Sequence, residues 1–576
     1  MAHSCTSSAW AHFFQLLKGL KIVTNPASLS FIGPIFQNRS NYKHPKIVFS
    51  DLVSAEIRGR KDGIEFPMSL DVLETYLRQK GVDQTDYAFL PDEAHQREMQ
   101  ASNLPLATLG LRGQKQTLVK DAALWGINMM NYLQSPAFFS LLNSAGVPAR
   151  REQRDGSFPL IVLGGHVWPN PLPLSHFYDV MVVGDGEDVL LQMAALLEAI
   201  PHDRARLLAQ IANLDGVYVP GYTNRPVKRA TIHFADPVYP AGSSYLQNGV
   251  GALVLSRGCA HDCAFCNNSL VGGPYRIKPI AQVWAHIHRL KLAGAHTIVP
   301  IAASASNYFS DGQTIHNVVE YIQGQGLAVK SMSDRPERFT PEYLRLTAQK
   351  TGKVVIALEA SPRIRQFVFQ KSLREETIEQ AVSACISAGI NRIQLYVILA
   401  APPMRPGLLG FLPGGFDGEQ TEDLRYLAEL GMTIARRMSQ AGLKKPDGKP
   451  FVILDCMPFI PAIGTRLQKA AFPPYHDYMA RISELKSLVE LRYRGLVEIS
   501  AALDEQTHFL QMFLERGGAW AGDALWQIWR QSPSESMTLG DIRQAAQISG
   551  IDPVDLCTDY LEKRLPYEGI LEASNG

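Results

Sequence analysis

The stretch SRGCAHDCAFCNN (256–268) holds three of the seven cysteines in a chain of 576 residues: Cys259, Cys263 and Cys266. The other four, Cys5, Cys385, Cys456 and Cys557, stand alone. The spacing C-x3-C-x2-C puts three thiols on one short loop. A structural zinc ion takes four ligands, usually as two separated pairs, so zinc would have to recruit His261, Asp262 or a more distant group. A [4Fe–4S] cluster has four irons, and the protein usually gives each a thiolate. Three cysteines would hold three irons and leave the fourth open for substrate chemistry. The plain alternative is three buried, inert cysteines, since free cysteine is among the most buried residue types. The loop's position counts against that. It ends the strand-like run GALVLSRGC (251–259), and the carboxyl ends of strands are where barrel active sites lie.

Working outward, that run is the first of six. HTIVPIAAS, LAVKSMSD, KVVIALEAS, RIQLYVILAAP and FVILDCMPF follow, separated by stretches of helical period such as IAQVWAHIHRLKLAG and DLRYLAELGMTIARRMSQAG. Six strand–helix units over 249–473 predict a β/α barrel, full or partial. Upstream, PKIVFSDLV, DYAFLP, AALWGIN, PLIVLGG and DVMVVGDGE alternate with helical runs over 45–200. That pattern predicts a parallel, doubly wound sheet. Residues 201–248 read as a Pro- and Gly-rich linker, 474–576 as mainly helical, and 1–44 as an amino-terminal extension.

Composition narrows the class. Lys plus Arg is 56 and Asp plus Glu 55, without the basic excess of a nucleic-acid carrier. No apolar run reaches the ~18 residues of a membrane span. The apolar start AWAHFFQLLKGLKIV is broken by His12, Gln15 and Lys18 and lacks a secretory cleavage pattern. An odd number of mostly isolated cysteines predicts a reducing cytoplasm, not a disulfide framework.

The cysteine loop, with the aromatic Phe265 before its last cysteine, resembles the signature of radical S-adenosylmethionine (SAM) enzymes over about residues 250–470. The resemblance implies a (β/α)6 partial TIM barrel. It implies a [4Fe–4S] cluster on Cys259, Cys263 and Cys266, whose open iron chelates SAM and whose electron cleaves it to a 5′-deoxyadenosyl radical. It places Glu359 and Ser361, in ALEAS (357–361), at the SAM ribose, with a barrel-mouth ion pair as the alternative for Glu359. The family's Gly-Gly-Glu motif after the second strand is replaced by IAASASNYF, leaving Ser304 or Asn307 for the SAM amino group. The resemblance sets Arg335 and Lys371 at the SAM carboxylate or a neighbouring phosphate, with solvated charges as the alternative, the reading preferred for Lys371.

GGHVWPNPLPLSHFYDVMVVGDGEDVLLQM (164–193) resembles the cobalamin-binding domain that precedes the barrel in one large subclass, the class B methyltransferase-like enzymes. Gly164, Gly165, Gly184 and Gly186 then let the corrin approach strand ends, with Glu187 opening a helix; tight strand-to-helix turns are the structural alternative. The Asp-x-His-x-x-Gly loop of many cobalamin domains is absent, so no histidine of this domain is expected on cobalt. The loop 56–67 is the expected source of the lower axial face. His166, Trp168, Tyr308 and Trp520 are read mainly as packing.

The two halves imply a methyltransferase moving a methyl group from SAM through methylcobalamin to an unactivated carbon, or to phosphorus, of a small molecule or peptide. A reductant such as flavodoxin or ferredoxin supplies electrons; neither nucleic acid nor membrane is expected as a partner. Rearrangement or ring formation, non-radical aromatic methylation, and a non-catalytic cluster-binding sensor are the alternatives. Methylthio transfer requires a second cluster, and residues 45–250 contain no cysteine.

Overall fold

The structure is a computed structural model that describes residues 46–52, 68–111, 114–234, 246–247, 249–330, 335–348, 352–408, 410, 414–445, 448–534, 536–558 and 565–571. The expected axial loop 56–67 and the extension 1–44 lie outside the described residues. The chain forms two compact units. One holds the described residues up to Ile232 with Gly522–Asp541; the other holds His233–Ala521 with Ile542–Gly569.

The first unit is built on six strands: β1 (Ile47–Asp51), β2 (Thr85–Tyr87), β3 (Leu124–Asn128), β4 (Leu160–Gly164), β5 (Val180–Val182) and β6 (Val217–Tyr218). Their order is β2-β1-β3-β4-β5-β6. All neighbours run parallel except the β5–β6 pair. β1, β2, β3 and β5 are buried at every position, as expected of parallel strands covered on both faces. The strand order reverses between β1 and β3, where open α/β sheets bind ligands beyond their carboxyl ends. The helices Met68–Gln79 and Glu187–Ala199 contribute Leu70, Leu77, Val189, Leu190 and Met193 to the core of this sheet. Residues 522–541 group with this unit. Trp526 lies 5.1 Å edge-on from Phe139 and stacks on Trp529, and Asp523 pairs with Arg150 and His176.

The second unit holds β7 (Leu246–Gln247), β8 (Val250–Val254), β9 (Ser256–Arg257), β10 (Arg276–Ile277), β11 (Thr297–Ile301), β12 (Phe309–Ser310), β13 (Gln313–Thr314) and β14 (Ala328–Val329). It continues with β15 (Lys353–Glu359), β16 (Arg392–Leu399), β17 (Val452–Pro458) and β18 (Val497–Ala501). Two four-stranded sheets result, β14-β11-β8-β7 and β15-β16-β17-β18, with two short antiparallel ribbons, β9–β10 and β12–β13. Apart from β7, the strands of both sheets are parallel. β18 comes from the region expected to be mainly helical: VEISA is short, and its pairing with β17 decides it.

In β15–β17 the side chains alternate with period two. Val354, Ile356, Leu358, Ile393, Leu395, Val397, Val452, Leu454 and Cys456 are buried beneath helices Glu375–Ser387, Thr421–Gln440 and Tyr475–Leu488. On the other face Val355, Ala357, Glu359, Ile398, Ile453, Asp455 and Met457 are only partly buried, and Tyr396 is exposed. The sheet therefore keeps one hollow face.

Candidate functional site

The cysteine loop leaves β9 through Gly258, whose φ of +71° suits glycine. A Cβ there would stand 3.0 Å from the Gly272 oxygen, and one on Gly272 would stand 2.8 Å from the Gly258 nitrogen. The loop is thus pressed into a glycine-only contact just before Cys259. Cys259, Cys263 and Cys266 are partly exposed and form no disulfide. Burial raises the Cys263 thiol, opposed by the charges of Lys371 and Arg335. Burial also raises Cys266, opposed by the Asn268 backbone N–H. Cys263 feels the charge of Cys266, and Cys266 that of Cys259, so the three thiols act on one another. Among the described residues no three His, Cys, Asp or Glu converge as they would on one metal ion. A cluster asks for something else, one thiolate per iron. Three free, half-buried thiols beside two cations fit that donor set.

The loop is seated on the carboxyl ends of the second sheet. Ala264 donates its N–H to the Phe369 carbonyl at 2.8 Å. The Phe265 ring lies 4.9 Å from Phe369, which stacks on Phe459. Ala264 and Phe265 share one apolar cluster with Ala360, Ala401 and Phe459. Those residues follow β15, β16 and β17 directly or within two positions.

Other expected residues gather here in different ways. Glu359 ends β15 with φ +70° at an irregularity in the β15–β16 pairing. Such backbone in a non-glycine residue costs on the order of 1–3 kcal/mol and concentrates at functional sites. Lys371 donates to Glu359 Oε1 at 2.8 Å and to the Ala357 carbonyl at 2.6 Å. Lys371 is only 5% exposed, which corrects its reading as a solvated charge: it is a buried partner of Glu359. Asn307 Oδ1 lies 2.9 Å from His261 Nε2, tying the segment after β11 to the cysteine loop. Burial, and then the Arg335 charge, lowers the His261 pKa. Arg335 is buried and donates to Glu337 from Nε at 2.9 Å. Ser304 is buried with its hydroxyl 3.1 Å from that of Ser306. Ser361 is buried and donates at 2.5 Å to Asp423, which Arg363 also holds at 2.6 Å. Burial would raise Asp423, but these donors keep it below the usual carboxylate range. An open cavity of ≈ 500 Å³ adjoins this network, lined by Arg363, Phe367, Val368, Met404 and Phe416 among others.

Sequence reasoning did not single out Glu419. Ala400, just past β16, has φ +61°, and its N–H donates to Glu419 at 2.8 Å. Glu419 is buried; burial pushes its carboxyl up to about 8, only partly opposed by the Ala400 N–H and by Arg481 at 3.7 Å. An acid with a raised folded pKa binds a proton more tightly in the fold than in the open chain. Its stabilising effect is full below the unfolded value and is lost as pH rises towards 8. Stability should therefore fall between about pH 4.5 and 8. Glu419→Gln should flatten that fall in thermal melts across the same range; an unchanged slope would assign the pH dependence elsewhere.

In the first unit, Gly164 ends β4 beside open space among the described residues, none of which has an atom within 4 Å of a Cβ placed there. Gly165 has φ +104°, and its Cβ would overlap the Met129 carbonyl at 2.2 Å. Gly184, φ +99°, is pressed in the same way on the Ala230 carbonyl at 2.3 Å. Gly186 precedes the helix Glu187–Ala199 and would approach Leu73 at 3.2 Å. Glu187 is buried in that helix's first turn. Gly165 and Gly184 thus have packing reasons of their own, and Gly164 is the one bordering free space. His166 is exposed beyond β4, with its pKa lowered by desolvation from surrounding protein. This glycine strand end lies one strand from the topological switch point, in the region where open α/β sheets bind ligands.

A three-cysteine loop on the carboxyl ends of parallel strands, in a chain that also carries a doubly wound sheet, is the arrangement expected of radical SAM proteins with a front domain. The chain resembles that family in sequence as well: residues 70–220 match the family model described as "Radical SAM proteins, N-terminal". An uncharacterised protein of Methanocaldococcus jannaschii is 25% identical over 253 residues, covering 42% of this chain and 52% of that protein. The ribosomal protein uS12 methylthiotransferase RimO of Syntrophobacter fumaroxidans is 28% identical over 212 residues, 35% of this chain and 44% of that protein. The chain spans about half the length of the curated relatives it matches. In fold it resembles the radical SAM methyltransferase TsrM of Kitasatospora setae, solved with cobalamin and a [4Fe–4S] cluster bound: TM-score 0.51, 14% identity, 88% of this chain and 100% of that one. The described residues contain no helix long and apolar enough to cross a membrane.

Proposed function

We propose that the protein is a cytoplasmic, cobalamin-dependent radical SAM methyltransferase acting on an unactivated carbon, or phosphorus, of a small molecule or peptide. The observation that carries this reading is the trio of free, half-buried thiols beside Lys371 and Arg335 at the strands' carboxyl ends. Cys259, Cys263 and Cys266 would hold the cluster, and the crevice at Gly164 the corrin, in a cobalamin domain over 45–200. The barrel would span 249–473, after a linker at 201–248 and before the tail 474–576. Bound there, the cluster would supply an electron to SAM, and cobalamin would carry the methyl group. The chain's own residues do the positioning. Lys371 and Arg335 offset thiolate charge. The Glu359–Lys371 pair fixes the end of β15, and Asn307 orients His261. The apolar seat of Ala264 and Phe265 keeps water from one side of the loop.

A second reading, methylthio transfer, is favoured by the names of several relatives, all uS12 methylthiotransferase RimO. It is opposed by the absence of any cysteine between residues 45 and 250, where a second cluster would need three. The test is anaerobic reconstitution with iron, sulfide and hydroxocobalamin, followed by SAM and dithionite or reduced flavodoxin. Release of 5′-deoxyadenosine, about one cobalt per chain and labelled methyl in a product support the proposal. Iron without retained corrin would leave SAM cleavage standing and defeat the cobalamin part. Labelled methylthio product would overturn it in favour of the second reading.

A further inference from the structure

The hollow face of β15–β18 carries one polar row. Register places Ala357 beside Tyr396, Tyr396 beside Asp455, and Asp455 beside Ser500. Tyr396 is 43% exposed although its strand has neighbours on both sides. Its hydroxyl has no hydrogen-bond partner among the described residues. Asp455 accepts from Gln394 Nε2 at 2.5 Å on one oxygen and from the Ser500 hydroxyl at 2.9 Å on the other. Both donors are neutral, and Asp455 forms no ion pair among the described residues. Cations on the same face are placed or occupied elsewhere. Lys353 and Arg392 pair at the strands' amino ends, four residues from Ala357 and Tyr396. Lys371 is bonded to Glu359. Glu498, paired in register with Ile453, adds a second carboxylate near Asp455.

The row sits below the cysteine loop. Tyr396 and Asp455 lie four residues before Ala400 and Phe459, about 13 Å along a strand at ~3.3 Å per residue. Ala401 and Phe459 pack against Ala264 of the cysteine loop.

A half-buried carboxylate held by two neutral donors has spare lone pairs and no counter-ion among the described residues, and in such surroundings a charge without a counter-ion is costly. A phenol ring beside it presents a negative face. Carboxylate plus aromatic face is the pairing that binds ammonium groups. An anion would meet Asp455 and Glu498 and be repelled. We infer that Tyr396 and Asp455 form a subsite for a primary ammonium group of the substrate, set by Gln394 and Ser500. This names a substrate class, an amine-bearing small molecule or peptide, and rests on the reading of the second unit as the substrate-transforming one.

The test uses the full chain, anaerobically reconstituted, with n-butylammonium as probe and 1-pentanol as its neutral match, read by saturation-transfer NMR. n-Butylammonium should receive saturation and 1-pentanol should not. Asp455→Asn should weaken n-butylammonium binding about tenfold, and Tyr396→Leu about threefold. Circular dichroism checks that each variant is folded; should Asp455→Asn unfold, Tyr396→Leu alone decides. Equal saturation of both probes, or full binding by the folded variants, overturns the subsite. The parent reading fails separately. Release of 5′-deoxyadenosine without amine selectivity sinks only the subsite, whereas amine selectivity without any SAM cleavage sinks only the radical SAM function.

Discussion

Alanine at any one of Cys259, Cys263 or Cys266 should leave a folded protein that retains little iron and releases 5′-deoxyadenosine only at background. The three positions cannot substitute for one another, because each thiolate would serve its own iron. Among the described residues no other cysteine is in reach: Cys385 and Cys456 are buried in the core beneath the second sheet, and Cys557 packs against Met512. The loop itself should survive each change. It is held by the Ala264–Phe369 hydrogen bond, the Phe265–Phe369 ring contact and the glycine contact before Cys259. None of these uses a sulfur atom. Iron analysis, visible absorbance and electron paramagnetic resonance of the reduced protein check the expectation, with melting temperature as the fold control. Cys385→Ala is the matched comparison. Burial pushes that thiol up to about 12, so it is a core residue and no ligand. It should keep the parent's iron while losing about 1 kcal/mol of stability to the smaller side chain. Full iron content in a Cys263→Ala protein would remove the cluster from this loop.

Legibility followed burial pattern. β1 and β3 were plain as apolar runs because both faces of a parallel strand are covered. The cysteine spacing was plain because the motif is local. β18 was not, since five residues of ordinary composition become a strand only by pairing with β17. Nor was the return of residues 522–541 to the first unit, which rests on Trp526 and Trp529 meeting Phe139 across nearly four hundred residues. Glu359 illustrates the intermediate case. Its place at a strand end was readable, but its backbone conformation and its buried lysine were not. Lys371 was misjudged because nothing within its own segment shows that the chain folds over it. Asp455 and Tyr396 were hidden for a related reason: RIQLYVIL and VILDCMP read as apolar runs, and only sheet register reveals a polar row.

Adjacent glycines at the end of β4 should respond oppositely to a single methyl group. Gly165→Ala should unfold the first unit more easily, by about 2–4 kcal/mol, because two penalties combine. The residue must keep φ near +104°, and its Cβ would stand 2.2 Å from the Met129 carbonyl oxygen. That oxygen is restrained, since the N–H of its own peptide plane, on Met130, donates to Gln134 Oε1 at 2.7 Å. The backbone must shift instead, and the shift passes directly into the strand end. Gly164→Ala meets neither penalty. Its φ is not in the left-handed region and its methyl would enter open space, so the melting temperature should stay within about 2 °C of the parent. If that space is where a corrin lies against the strand end, the same methyl should weaken cobalamin retention about tenfold, a contact loss of ~1.4 kcal/mol. Calorimetric melts give the first quantity, and cobalt content after desalting gives the second. A Gly164→Ala protein that holds cobalamin as tightly as the parent would move the corrin away from β4, whatever Gly165→Ala does to the fold.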